Sequence, residues 1–184
     1  KVSDLTGIVY GTDEKNTYAM RVLAEHARSA TFLIADGVVP GNEGRGYVLR
    51  RVLRRAIRYG INLGLKDSFL SDIAEVVVDK MKPAYPELSI HADFVFSVIK
   101  LEEQNFQRTY LAGYGVLNDS LKNNATLSGD MIFKLWDTYG FPVEIIKEIA
   151  EERNISVDID GFNENMRLQK EKARSSAKFG GDRF

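Results

Sequence analysis

From Gly44 to Leu65 the chain carries six arginines and no aspartate or glutamate. Advancing 100° per residue through residues 47–58 gathers Leu49, Val52, Leu53, Ala56 and Ile57 on one side. Arg50, Arg51, Arg54, Arg55 and Arg58 fall on the other. A strand, whose side chains alternate every second residue, would mix the two kinds, so the stretch predicts a helix with one apolar and one cationic face. Arginines four apart repel by roughly 0.2–0.5 kcal/mol per pair. Nothing in the same helix offsets this. The counter-charge must come from acids elsewhere in the fold, with Asp93, Glu102 and Glu103 as candidates, or from an anionic partner. Phosphate suits the second case, because its oxygens match the forked donors of a guanidinium. The whole chain has 25 basic and 26 acidic residues, so the strip is a local feature and not the mark of a basic protein.

Helical spacing dominates elsewhere too. Residues 16–37, ending at Gly37 as a C-cap, and 47–63 read as the first two helices. A third is predicted after Asp67 or Ser68 as N-cap, with Phe69, Ile73, Val76, Val77 and Met81 inward and an end before Pro83. A long helix is predicted over 92–112 with Phe94, Val98, Leu101 and Phe106 inward, then a short one over 116–122. Ser128 and Asp130 are candidate caps for a helix ending at Gly140; Pro142 suits the first turn of the next. A polar helix over 163–178 closes the chain, and Lys170, Lys172 and Arg174 read as its solvated face or as a secondary phosphate contact. GIVY and SVDI are the strand-like stretches. The class is all-α or nearly so, an irregular domain of about six to eight helices over residues 1–184, with at most short strands.

Composition narrows the chemistry. At 184 residues and 44% hydrophobic the chain can build a core, but it has no cysteine and two histidines, His26 and His91, far apart. Disulfides, thiolate catalysis and a Cys/His zinc site are thereby excluded for these residues. No nucleophile–base pair, nucleotide loop or apolar run long enough to span a bilayer is present, so no catalytic residue and no membrane partner is expected. The loop PGNEGRGY lacks the GK[ST] of a phosphate-binding loop; its three glycines permit close approach of the backbone. The chain begins at Lys1 and ends at GGDRF, and reads as a piece of a longer protein.

Three blocks in order, RVLAEHARSATFLIADGVVPGNEGRGYVLRRVLRRAIRYG, LWDTYGFPVEI and, more weakly, MRLQKEKARSSAKF, resemble the alanyl-tRNA synthetases. Spacing agrees from about Tyr10 to Phe179; the family often carries Tyr where Trp136 stands. The resemblance implies the helical tRNA-recognition region of a class II aminoacyl-tRNA synthetase, expected to be inactive alone because the catalytic and editing domains lie outside it. It implies a cytoplasmic enzyme whose complete form uses ATP and Mg2+, with zinc in the editing region, and no cofactor in this piece. The implied partners are the acceptor stem of tRNA(Ala) and, within the same chain, the catalytic domain. The family's identity signal is a G·U wobble pair, and the matching positions for its two readers are Asn42 and Asp137. Arg45, Arg50, Arg51, Arg54, Arg55 and Arg58 are then expected to hold the RNA backbone. The alternative is a helical interaction module whose arginine strip docks an acidic partner or domain.

Overall fold

The computed structural model describes residues 1–122 and 124–179. Among them the order is α1 (Val2–Thr6), α2 (Glu14–Ala35), α3 (Gly44–Asn62), α4 (Leu70–Met81), α5 (Glu87–Ile90), α6 (Ala92–Lys122), β1 (Thr126–Leu127), α7 (Gly129–Tyr139), α8 (Val143–Glu151), β2 (Ser156–Val157) and α9 (Ile159–Phe179). The near all-α class predicted from periodicity is the class observed. Two compact units divide the chain, Lys1–Gln107 and Arg108–Phe184.

In the first unit α2 begins where Asp13 accepts a hydrogen bond from the Asn16 N–H at 2.7 Å, an N-cap that satisfies one of the helix's orphan donors. Its buried stripe, Ala19, Met20, Leu23, Ala27, Ala30, Thr31 and Ile34, repeats at three and four residues and packs against α3 and α4. Gly37, at φ 83°, ends the helix in the left-handed region, as its sequence position predicts. On α3, Leu49, Leu53, Ala56 and Ile57 are buried, the apolar face predicted. A Cβ on Gly60 would lie 2.1 Å from Phe69 Cζ, so that glycine is a flat seat for the Phe69 ring.

The cap of α4 differs from expectation. Neither Asp67 nor Ser68 caps it; the N-cap is Phe69, which has no capping side chain. The acceptor arrives from α6, where Glu103 Oε1 takes the N–H groups of Phe69 and Leu70 at 3.0 and 3.1 Å.

The same carboxylate explains the error in α6. Phe94 and Leu101, predicted inward, are exposed, while Val95, Ile99, Glu102, Glu103, Phe106, Tyr110, Leu117 and Leu121 are buried. Two glutamates occupy the buried stripe, so a search for apolar residues selects the neighbouring face. Val78, not Val76 or Val77, is likewise the buried valine of α4. The predicted break near residues 113–115 does not occur: α6 is continuous. Gly113 is there for packing, since a Cβ would meet Phe141 Cδ2 at 2.6 Å.

In the second unit, β1 and β2 pair in parallel, Thr126 with Ser156 and Leu127 with Val157. The SVDI stretch thus contributes a strand; Gly7–Tyr10 contributes none. After β2, Asp158 binds two helix starts together, accepting from Gly129 N at 3.2 Å and from Gly161 N at 2.9 Å. The two helix starts touch backbone to backbone, because a Cβ on Gly129 would lie 2.4 Å from the Gly161 carbonyl carbon. This clamp lays α7 against α9.

Candidate nucleic-acid interface

The loop before α3 is closed tightly on the helix. A Cβ on Gly46 would lie 2.6 Å from Val39 O and 3.0 Å from Gly41 N, so backbone on both sides excludes any larger residue. Gly44, at φ 56°, makes the turn into the helix. Asn42 and Arg45 are exposed on this turn. Asn42 Oδ1 accepts from Arg50 Nη1, and Arg50 Nη2 reaches Pro40 O at 3.4 Å.

The arginine face does not form the uniformly exposed strip that the helical wheel predicts. Arg45 and Arg51 are exposed; Arg50, Arg54 and Arg55 are half-buried; Arg58 is buried, at 1% exposure. Glu102 supplies the counter-charge, with its Oε1 2.7 Å from Arg54 Nε and 3.5 Å from Arg50 Nε. Arg54 also lies over the Phe106 ring at 5.2 Å, and Arg58 over Tyr59 at 5.1 Å. Arg55 lies near His26, and burial together with that guanidinium lowers the His26 pKa. A helical wheel has two sides, but α3 is enclosed over more than one of them. The Arg54 side chain lies along Phe106, and Arg50 and Arg54 deliver their charge to Glu102 on another helix. Of the six expected backbone-binding arginines, Arg45 and Arg51 present most of their charge to solvent. Arg51 sits 5.9 Å from the centre of the Tyr47 ring.

In the second unit Asp137 lies exposed near the C-terminal end of α7, where its charge opposes the helix dipole. Its Oδ1 accepts from Gln169 Nε2 on α9 at 2.7 Å. A second tie between the same helices joins Asn165 Nδ2 to Asp130 Oδ1 at 2.7 Å. Past Asp137 the DTYGFP sequence ends the helix: Gly140 takes φ 63° and the Phe141 N–H returns to Leu135 O at 2.9 Å. Phe141 is fully buried and stacks on Tyr110, ring centres 5.4 Å apart. Both ends of α7 are therefore fixed within this unit, and Asp137 with them. Lys170 and Lys172 are exposed; the Arg174 side chain lies outside the described residues. Glu102, one of the three acids expected as counter-charge, is the one that pairs with Arg50 and Arg54; Gln169 and the positioning contact of Arg50 were not foreseen from the sequence. The i to i+8 spacing of Asn42 and Arg50 was visible as a number only, and nothing local marks Gln169.

The model of the family described as tRNA synthetases class II (A) matches residues 1–183, and the chain belongs to that family. Its similarity is to alanine–tRNA ligases in particular. That of Natranaerobius thermophilus is 46% identical over 180 residues, covering 95% of this chain and 20% of the relative. That of Dehalococcoides mccartyi is 48% identical over 180 residues, covering 97% and 21%. That of Acetivibrio thermocellus is 46% identical over 178 residues, covering 94% and 20%. The chain thus spans about a fifth of the length of these curated relatives.

Proposed function

We propose that this chain is the tRNA-recognition region of an alanine–tRNA ligase, which binds the acceptor stem of tRNA(Ala), reads its G·U wobble pair and positions the 3′ end for the catalytic domain elsewhere in the protein. The observation that carries the reading is the state of the two candidate readers. Asn42 and Asp137 are both exposed, and each is held by a single neighbouring side chain that occupies one of its polar atoms. A-form RNA turns a wide, shallow minor groove to proteins. In that groove guanine shows its exocyclic amino donor. In a G·U wobble this amino group has no partner on the other base, and a carboxylate is a strong acceptor for it.

Among the described residues no group of three or more His, Cys, Asp or Glu could hold a metal ion. In this proposal ATP and Mg2+, and zinc in the editing region, serve the longer ligase. No helix of the described residues is long and apolar enough to cross a membrane; a cytoplasmic site of action is part of the proposal.

Filter binding of the 184-residue chain to an acceptor-stem duplex, titrated with salt, tests this. Arg45→Ala and Arg51→Ala are each expected to weaken binding to G·U and G·C duplexes alike, since phosphate contacts position without specifying. Each should reduce the slope of log affinity against log salt by roughly one unit. Arg54→Ala and Arg58→Ala should act through folding stability instead, seen as a lower Tm. Absence of RNA binding by a folded wild-type chain sinks the proposal and leaves the arginines to a protein partner.

A further inference from the structure

We infer that Arg50 is a positioning residue that fixes the Asn42 amide with its oxygen inward, so that Asn42 meets RNA as a hydrogen-bond donor through Nδ2. The inference rests on the reading that Asn42 touches the acceptor stem. It assigns the chemistry of what Asn42 touches: an acceptor on the minor-groove edge, such as a pyrimidine O2, a purine N3 or a ribose 2′-oxygen.

The polarity follows from the partner. A guanidinium has five N–H donors and no acceptor. The atom of Asn42 that meets Arg50 Nη1 is therefore the carbonyl oxygen. Turning the amide by 180° would set its NH2 against the guanidinium, donor to donor. Arg50 is itself held by two hydrogen bonds and one ion pair. Its Nη1 donates to Asn42, its Nη2 to Pro40 O at 3.4 Å, and its Nε lies 3.5 Å from Glu102 Oε1. Glu102 is buried at 7% exposure and is anchored in turn by Arg54 Nε at 2.7 Å. A chain of polar contacts thus runs from α6 through Arg50 to the loop. The loop has little freedom to drift from it, since backbone closes on Gly46. Arg50 Nη1 and Nη2 each donate to the loop, while its buried Nε lies beside Glu102 without a hydrogen bond, so the guanidinium is turned toward protein.

The test compares the affinity of the 184-residue chain for acceptor-stem duplexes carrying G·U or G·C at the recognised pair. Asn42→Ala should lower the G·U over G·C ratio by roughly 5- to 150-fold, the range for one lost base contact. Arg50→Met should lower the ratio by a similar factor and add nothing further in the Asn42→Ala background; Arg50→Lys, which retains a charged donor group, should restore part of it. Asn42→Asp is the sharpest variant. It keeps shape and an oxygen for Arg50 but has no donor to present, so the ratio should fall as in Asn42→Ala. Circular dichroism checks that each variant is folded, and Arg50→Lys and Asn42→Asp still decide the matter if Arg50→Met is not. An Asn42→Asp ratio equal to wild type would show that the outward group is an acceptor and overturn the inference. Equal losses on both duplexes with Arg50→Met or Arg50→Lys would make Arg50 a phosphate contact and also overturn it. A ratio unmoved by Asn42→Ala defeats the base-reading proposal itself, and this inference falls with it.

Discussion

Glu103→Ala is expected to remove roughly 3–5 kcal/mol of folding stability, a large part of what a domain of this size holds. The Glu103 side chain is fully buried and stands in for the missing N-cap of α4. Its loss leaves the N–H groups of Phe69 and Leu70 without their acceptor and opens a cavity beside them. Burial raises the Glu103 pKa from 4.5 to about 6, helped by the charge of Asp72 and opposed by the two backbone N–H groups. The folded state therefore holds this proton more tightly than the unfolded chain does. The stabilisation from protonated Glu103 is complete below about pH 4.5 and is lost as pH rises through about 6. A separation of that size amounts to about 2 kcal/mol. Glu103→Gln keeps an acceptor for the helix start and cannot ionise. Urea denaturation of wild type and Glu103→Gln from pH 4 to pH 8 should give a difference in stability that shifts by about 2 kcal/mol in favour of the variant. Parallel curves would show that Glu103 does not titrate in this window.

Glu103 also marks where the sequence stops being readable. Segments whose burial follows periodicity and whose ends are set by nearby residues are legible: α2 at its Gly37 end, α7 with Ser128 and Gly140. Ser128 accepts from Met131 N at 3.3 Å, within one turn. A helix whose buried face contains charge is not legible, because its partner lies far along the chain. Glu102 and Glu103 can be named from the sequence as possible counter-charges, but not as buried residues, until Arg54 and the start of α4 are brought to them, 48 and 33–34 residues away. The arginine face fails for the same reason. Periodicity says which side of α3 is apolar, but not how far neighbouring helices reach around it. The glycines at 113 and 115 read as a break because a sequence does not show that Phe141 needs the space beside Gly113. At the candidate site the residue types of Asn42 and Asp137 were accessible through resemblance. The groups that orient them were not, since Arg50 lies a loop away and Gln169 is 32 residues from Asp137.

That orientation makes Asp137→Asn the most informative change in the second unit. In the longer ligase carrying this region, the variant should lower kcat/KM for the wobble-bearing tRNA by roughly 5- to 150-fold, the equivalent of about 1–3 kcal/mol of lost discrimination. Gln169 can meet an asparagine at 137 with either end of its amide, so the bond between the helices is kept whichever way the asparagine turns. On the proposed reading, the acceptor offered to the exocyclic amino group of guanine then loses its charge, or gives way to an NH2 group that sets donor against donor. Activity on a G·C variant should change little, because the contact was never made there, and the gap between the two substrates narrows from above. Stability should move by less than about 1 kcal/mol, as the side chain is exposed and its bond to Gln169 is kept. The measurement is a two-by-two set, wild type and Asp137→Asn against G·U and G·C stems, with Tm recorded for both proteins. Equal losses on both RNAs, accompanied by a fall in Tm, would assign Asp137 to the α7–α9 packing and remove it from recognition.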